Sequence, residues 1–295
     1  MNHESTIKFA FFGSSRFSVF VLDELEKAGL APTMIVTTPD KPAGRRLKLT
    51  PTPVKEWAAE RGTKTFAPAK LDATFAGALK NNPCDVFVVA SYGKMIPGSI
   101  IDIPPRKTLN IHPSLLPKYR GASPLQSAML DDEKNTGITI MRINEKMDEG
   151  PIVAQRLVTI SQWPIYEEFE EAMAREGGRL LAEVLPGWVS GRLEEKEQDH
   201  SSATYTKKIA KENGFLDLSA DPYLNFRKIQ AYHEWPAAYF FAVRKNHDGS
   251  DHARIRVKVT AASFKDGKLS IDRVVPEGSR EMPFADFSKG YGPVR

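Results

Sequence analysis

Asn110, His112 and Asp148 are the residues of this chain whose types and spacing best suit chemistry. Asn110 and His112 stand two apart at what reads as the end of a strand, so their side chains leave the same face. An amide beside an imidazole can donate hydrogen bonds to a carbonyl oxygen that is gaining charge, and the imidazole can also relay a proton. Two prolines and a glycine, Pro113, Pro117 and Gly121, then fix a loop where the strand stops. Asp148 lies in the turn Lys146-Met-Asp-Glu-Gly-Pro151, after an apolar strand at 137–143. If that strand runs parallel to the one ending at His112, their carboxyl ends share a rim. The carboxylate then reaches the imidazole and fixes its tautomer.

Other chemistries find less support. Ser114 follows His112 by two residues and would point to the same face, with no G-x-S-x-G elbow around it, so a Ser–His–Asp hydrolase is not indicated. The turn Gly13-Ser-Ser-Arg-Phe17 has one glycine where a dinucleotide fingerprint needs three, and it is not a P-loop. The single cysteine, Cys84, excludes a disulfide framework and a cysteine-rich zinc site, and no other cluster has metal-ligand spacing. No metal is expected.

The elements that must position these residues alternate. Short apolar runs at 7–13, 33–37, 85–90, 108–111, 137–143 and 152–160 read as strands. Helical spacing appears at 17–28, 54–60, 72–80 and 167–185, the last ended by Pro186 and Gly187. Such alternation predicts a doubly wound, Rossmann-like α/β domain over 1–193 with its site at the carboxyl ends of the strands. Residues 194–204 are polar, without periodicity, and read as a linker. From 205 to 295 the pattern becomes short alternating strands around an Asp266-Gly267 turn, which predicts a small β-barrel or sheet.

The 295 residues are 41% hydrophobic and 26% charged, ordinary proportions that exclude collagen, coiled coil and disorder. No apolar run approaches the roughly 20 residues that span a bilayer. The start, MNHESTIKFAFFG, lacks the basic region and cleavage site of a secretory signal, so a cytoplasmic location is expected. Charge is uneven: residues 1–204 carry 25 Lys and Arg against 26 Asp and Glu, residues 205–295 carry 16 against 11. A basic C-terminal part points to a polyanionic partner.

At these residues the chain resembles the formyltetrahydrofolate-dependent formyltransferases. The resemblance rests on Asn110-x-His112, Ser114-Leu-Leu-Pro117, Arg120-Gly-Ala-Ser-Pro124, Asp148 in a Met-Asp-x-Gly loop, and Ser91-Tyr-Gly-Lys-Met-Ile-Pro97. It implies 10-formyltetrahydrofolate as co-substrate, with Asn110, His112 and Asp148 catalytic. It implies a folate site formed by Ser91, Tyr92, Gly93, Ile96 and Pro97 together with Ser114, Leu115, Leu116 and Pro117. The loop Pro39–Val54 is similar to the insertion found in the branch that acts on methionyl initiator tRNA, with Arg45 matching its tRNA-recognising arginine. Lys41, Arg45, Arg46 and Lys48 would face phosphates from a Pro/Gly-rich loop. The segments 203–212 and 277–290 are similar to the opening and closing of that branch's OB-type second domain, here apparently shortened. A monomer is expected. Two alternatives stay open: an amino-sugar nucleotide as acceptor, and a non-catalytic nucleic-acid-binding protein on the same fold.

Overall fold

The computed structural model describes residues 7–43, 47–245 and 251–291. The chain forms two compact units. The first comprises Met1–Gly121, Thr136–Val158 and Glu170–Tyr205, the second Ala122–Asn135, Thr159–Phe169 and Thr206–Arg295.

The first unit opens with β1 (Phe9–Phe12), α1 (Arg16–Lys27) and β2 (Met34–Val36). A hairpin of β3 (Lys41–Ala43) and β4 (Lys48–Thr50) follows, then α2 (Pro53–Glu60), β5 (Thr65–Phe66) and α3 (Ala73–Lys80). Next come β6 (Val86–Val89), α4 (Gly98–Ile101), β7 (Thr108–His112) and β8 (Arg120–Gly121). After α5 (Pro124–Leu130), which belongs to the second unit, the chain continues through β9 (Asn135–Arg142), β10 (Ile152–Thr159), α6 (Tyr166–Val189) and β11 (Tyr205–Thr206). Seven strands form one sheet in the order β10-β9-β7-β6-β1-β2-β5. The central runs FAFF and VFVV are buried throughout, as strands covered on both faces must be.

The sheet is mixed. β1, β2, β5, β6 and β7 run parallel, while β9 pairs antiparallel with β7. The parallel arrangement expected of the 137–143 strand is therefore not met. A parallel neighbour needs a crossover of a dozen or more residues that packs back over the sheet, and the chain between His112 and Asn135 supplies a loop and α5 that lead into an antiparallel strand. α6 lies close against this part of the sheet. A side chain at Gly177 would meet Ile111, the residue between Asn110 and His112, at 2.7 Å, so the helix approaches only because the position is glycine. α6 also continues through Pro186 and Gly187 to Val189, beyond the predicted stop. Pro186 forfeits one amide bond, but its own carbonyl still accepts from Ser190 at 3.1 Å.

The stretch 194–204 is strapped to the first unit: Lys196 exchanges two backbone hydrogen bonds with Ile152, and Gln198 is buried.

In the second unit, β12 (Tyr239–Lys245), β13 (Asp251–Lys265), β14 (Lys268–Pro276) and β15 (Met282–Pro283) form a sequential antiparallel sheet. Its apolar face packs Phe240, Val257, Val259 and Val274 with Ile229 of α7 (Pro222–Ala231) and Phe287 of α8 (Phe284–Gly290). The opposite face carries Tyr239 and Phe241, with the guanidinium of Arg256 3.7 Å above the first ring and that of Arg254 4.0 Å above the second. No described helix is long and apolar enough to cross a membrane.

Candidate active site

β7 lies between parallel β6 and antiparallel β9, with Asn110 opposite Val89 on one side and Met141 on the other. Its even positions carry Asn110 and His112 to one face at the strand end. Asn110 is half-buried, and its side-chain amide has no hydrogen-bond partner among the described residues. His112 is 4% exposed. Its Nε2 lies 2.9 Å from the Tyr119 carbonyl oxygen, which can only accept, so the network assigns the proton to Nε2 and turns Nδ1 toward Asp148.

Asp148 Oδ2 stands 3.7 Å from that Nδ1 and accepts the Gly121 amide at 2.8 Å. The route is not the shared rim of two parallel strands. β9 ends at Arg142 opposite Leu109, near the start of β7, and residues 143–150 double back to bring the carboxylate to the imidazole. The Arg142 amide closes the base of this excursion on the Pro151 carbonyl at 2.9 Å. Asp148 itself has φ +53, a left-handed conformation that Asp tolerates better than most residues. The three candidate catalytic side chains therefore converge at one strand end.

The folate-side candidates divide into two groups. Ser91 (φ +50) and Gly93 (φ +80) make an exposed turn beyond the carboxyl end of β6, on the rim next to Asn110. Tyr92 turns inward, edge-on to Phe12 at 5.6 Å, and burial pushes its phenol up to about 12. Ile96 packs against the same core, and exposed Pro97 precedes α4. On the other side, Ser114 is fully buried and its hydroxyl donates to the Lys118 carbonyl at 2.7 Å. Leu116 is 3% exposed, its amide donating to Thr139 and its carbonyl accepting from Gln155. Ser114 and Leu116 thus shape the turn, while Leu115 and Pro117 remain half-exposed beside it.

In the hairpin, Lys41 and Lys48 are exposed, as are Leu47 and Leu49. Asp40, just before β3, is held by Lys55 of α2 at 2.8 Å. Arg45 and Arg46 lie outside the described residues.

The structure brings two further residues to this site: Arg120, which the sequence shows as a motif residue without a role, and Gln198, which no sequence signal marks. Arg120 is 1% exposed and Gln198 is 5% exposed, and together they bracket the Asp148 turn. Glu149 belongs to the same turn. Desolvation works to raise its carboxyl, but the Tyr205 hydroxyl and the charges of Lys146 and Arg120 hold it below the ordinary value. A cleft of about 360 Å³ opens beside Glu149, lined also by Asn144, Glu145, Lys146, Glu197 and His200. A larger one, about 670 Å³, sits at the opposite end of β7 between Arg106, Lys107 and Trp188 and touches none of the three candidate catalytic side chains. Geometry at the strand end outweighs volume here. Cys84 is buried, which pushes its thiol up and away from use as a nucleophile.

The chain has relatives among known proteins. A family model described as formyl transferase matches residues 7–185. The methionyl-tRNA formyltransferase of Thermus thermophilus is 38% identical, with 97% of each chain covered. That of Chloroflexus aggregans is 42% identical over 80% of this chain and 76% of its own. Among solved structures, a methionyl-tRNA formyltransferase from Clostridium thermocellum superposes with a TM-score of 0.61 at 17% identity, covering 92% of this chain and 98% of its own. A sugar N-formyltransferase from Shewanella sp FDAARGOS_354 shares the fold as well, with a TM-score of 0.59 at 17% identity over 84% of this chain and 96% of its own. An amide, an imidazole and a carboxylate gathered at one strand end, within a sequence related along nearly its whole length to such enzymes, place this chain in the formyl transferase family.

Proposed function

We propose that this chain transfers the formyl group of 10-formyltetrahydrofolate to the α-amino group of methionine esterified to initiator tRNA. The observation that carries the chemistry is the Asn110 amide, without a partner among the described residues, beside an imidazole–carboxylate pair at 3.7 Å. The co-substrate supplies an activated formyl carbon, and the chain's own residues do the rest. Asn110 donates to the formyl oxygen as negative charge develops there when the amine attacks. His112 Nδ1 faces Asp148, so the proton shed by the attacking amine is received and held between them, and a proton passes to the folate nitrogen as its bond to the formyl carbon breaks. The Tyr119 carbonyl keeps the ring in the orientation this needs.

Ser91, Gly93, Ile96 and Pro97 on one side of the rim, and Leu115 and Pro117 on the other, hold the folate. Tyr92, Ser114 and Leu116 support those segments from beneath. The hairpin cations Lys41, Arg45, Arg46 and Lys48 meet phosphates of the acceptor end. In the second unit, the aromatic rings and arginines on the outer face of β12 and β13 suit a nucleic-acid backbone with unpaired or stacked bases.

The test is formyl transfer by the purified chain from 10-formyltetrahydrofolate, with methionyl initiator tRNA and amino-sugar nucleotides offered in parallel. Transfer to the tRNA is expected. With Arg45→Ala the tRNA should bind more weakly, and the salt dependence of binding should lose about one unit of slope. Transfer to a sugar alone would overturn the assignment of the acceptor.

A further inference from the structure

Arg120 is among the largest fully buried side chains of the protein, and it is a cation. Guanidinium groups are almost never buried this completely unless they are paired, so its partners bear on what it does. Its Nε and Nη2 both reach Gln198 Oε1, at 3.2 and 2.7 Å. Nη2 also reaches His200 Nδ1 at 2.9 Å, Nη1 donates to the Tyr205 hydroxyl at 2.9 Å, and Glu149 Oε1 lies 3.6 Å away.

These partners lead to one place. Gln198 Nε2 donates to the Asp148 carbonyl at 2.9 Å and to the Gly150 carbonyl at 2.6 Å, the two peptide oxygens flanking Glu149. The Tyr205 hydroxyl donates to Glu149 at 3.1 Å. Gly121, the next residue after Arg120, gives its amide to the Asp148 carboxylate. The guanidinium also fixes which way the Gln198 amide points. Turning the amide over would set its NH2 against the arginine and its oxygen against two carbonyls, leaving buried donors and acceptors unmatched.

We propose that Arg120 and Gln198 are positioning residues that set the Asp148 turn against His112. Arg120 orients Gln198, Gln198 fastens the backbone on both sides of Glu149, and Gly121 aims the carboxylate. The turn needs such a clamp because Asp148 sits at φ +53 on an excursion from an antiparallel strand, with no strand direction of its own to aim it. The proposal rests on Asp148 and His112 being the proton-handling pair described above.

The decisive variant is Gln198→Glu, tested in the full chain. It keeps an acceptor for Arg120, strengthened by charge, but it has no N–H to hold the Asp148 and Gly150 carbonyls. If Arg120 and Gln198 serve only the fold, this variant changes stability and leaves kcat at the wild-type value. If the pair positions Asp148, kcat falls about 100-fold, the loss typical of an ångström-scale misplacement, while the KM for either substrate is unchanged. The ring-nitrogen signals of His112 in histidine-labelled protein should shift in the same direction as in Asp148→Asn, in a protein that still unfolds cooperatively. Gln198→Met has similar length and no amide, and it carries the same expectation should Gln198→Glu fail to fold. Wild-type kcat and His112 signals in a folded Gln198 variant, alongside an inactive Asp148→Asn, would overturn the positioning role alone. Full activity in Asp148→Asn would overturn the site reading and this proposal with it.

Discussion

Replacing Gly150 with alanine tests how tightly the Asp148 turn is built. A Cβ at this position would lie 1.8 Å from the Arg142 carbonyl oxygen, a backbone atom that cannot rotate aside. Ordinary contact begins near 3.4 Å, so the two strands of chain at the base of the turn must separate by about 1.6 Å. That separation stretches the Arg142–Pro151 backbone hydrogen bond, 2.9 Å in the wild type, and draws the Gly150 carbonyl away from Gln198. The folding cost of such overpacking is about 1–3 kcal/mol, small against the roughly 5–15 kcal/mol of a typical domain, so the variant still folds. The catalytic cost is separate. Moving the turn by more than an ångström takes Asp148 Oδ2 off the Gly121 amide and away from His112, for about 100-fold in kcat, or roughly 2.7 kcal/mol of barrier. The assay pairs kcat for formyl transfer at saturating substrates with a urea midpoint on the same preparation. A Gly150→Ala protein that is destabilised yet turns over at the wild-type rate would refute the reasoning, because it would show that chemistry tolerates a displaced turn.

Two further outcomes are expected. Asn110→Ala should lower kcat by about 10²–10³ through loss of one oxyanion donor. Its thermal midpoint should stay at the wild-type value, since the amide has no described partner to lose; a normal kcat would remove Asn110 from the mechanism. Glu24 of α1 is buried, and hydrogen bonds from Lys27 and Arg175 hold its carboxyl below the ordinary 4.5. Its contribution to stability is therefore complete above the unfolded value and fades as pH drops through the lower folded one. Thermal melts of wild type and Glu24→Gln should differ near neutrality and converge in acid once the pH has fallen through the lowered folded value, and a constant difference across the titration would contradict this.

Much of the site could be read along the chain because it depends on local geometry. The buried runs FAFF and VFVV announce central strands, and residues two apart on a strand share a face whatever surrounds them, so Asn110 and His112 were legible as a pair. Asp148 was legible as a residue but not as a path. Period-two alternation says that a strand exists and is silent on its direction, so the antiparallel β9 and the doubling back of residues 143–150 had to come from the structure. Arg120 and Gln198 were hidden for a different reason. Their contact spans 78 positions, and a polar stretch such as 194–204 carries no periodicity to show that its one glutamine is buried. The run of α6 past Pro186 shows the limit of local punctuation, since a helix loses one amide bond at proline but keeps the bonds on either side.

The hairpin of β3 and β4 is rooted at a single place. Asp40 is tied to Lys55, and the Thr37 hydroxyl meets that of Thr52 at 2.7 Å, so both ends of the insertion are anchored where β2 gives way to α2. Neither hairpin strand belongs to the seven-stranded sheet. The segment behaves as an accessory mounted on a finished engine. Its wording can be rewritten between the anchor points while every residue that handles the proton or the developing oxyanion keeps its address. If this peptide meets the acceptor as proposed, grafting it between such enzymes should redirect one reaction to a new recipient without touching the chemistry.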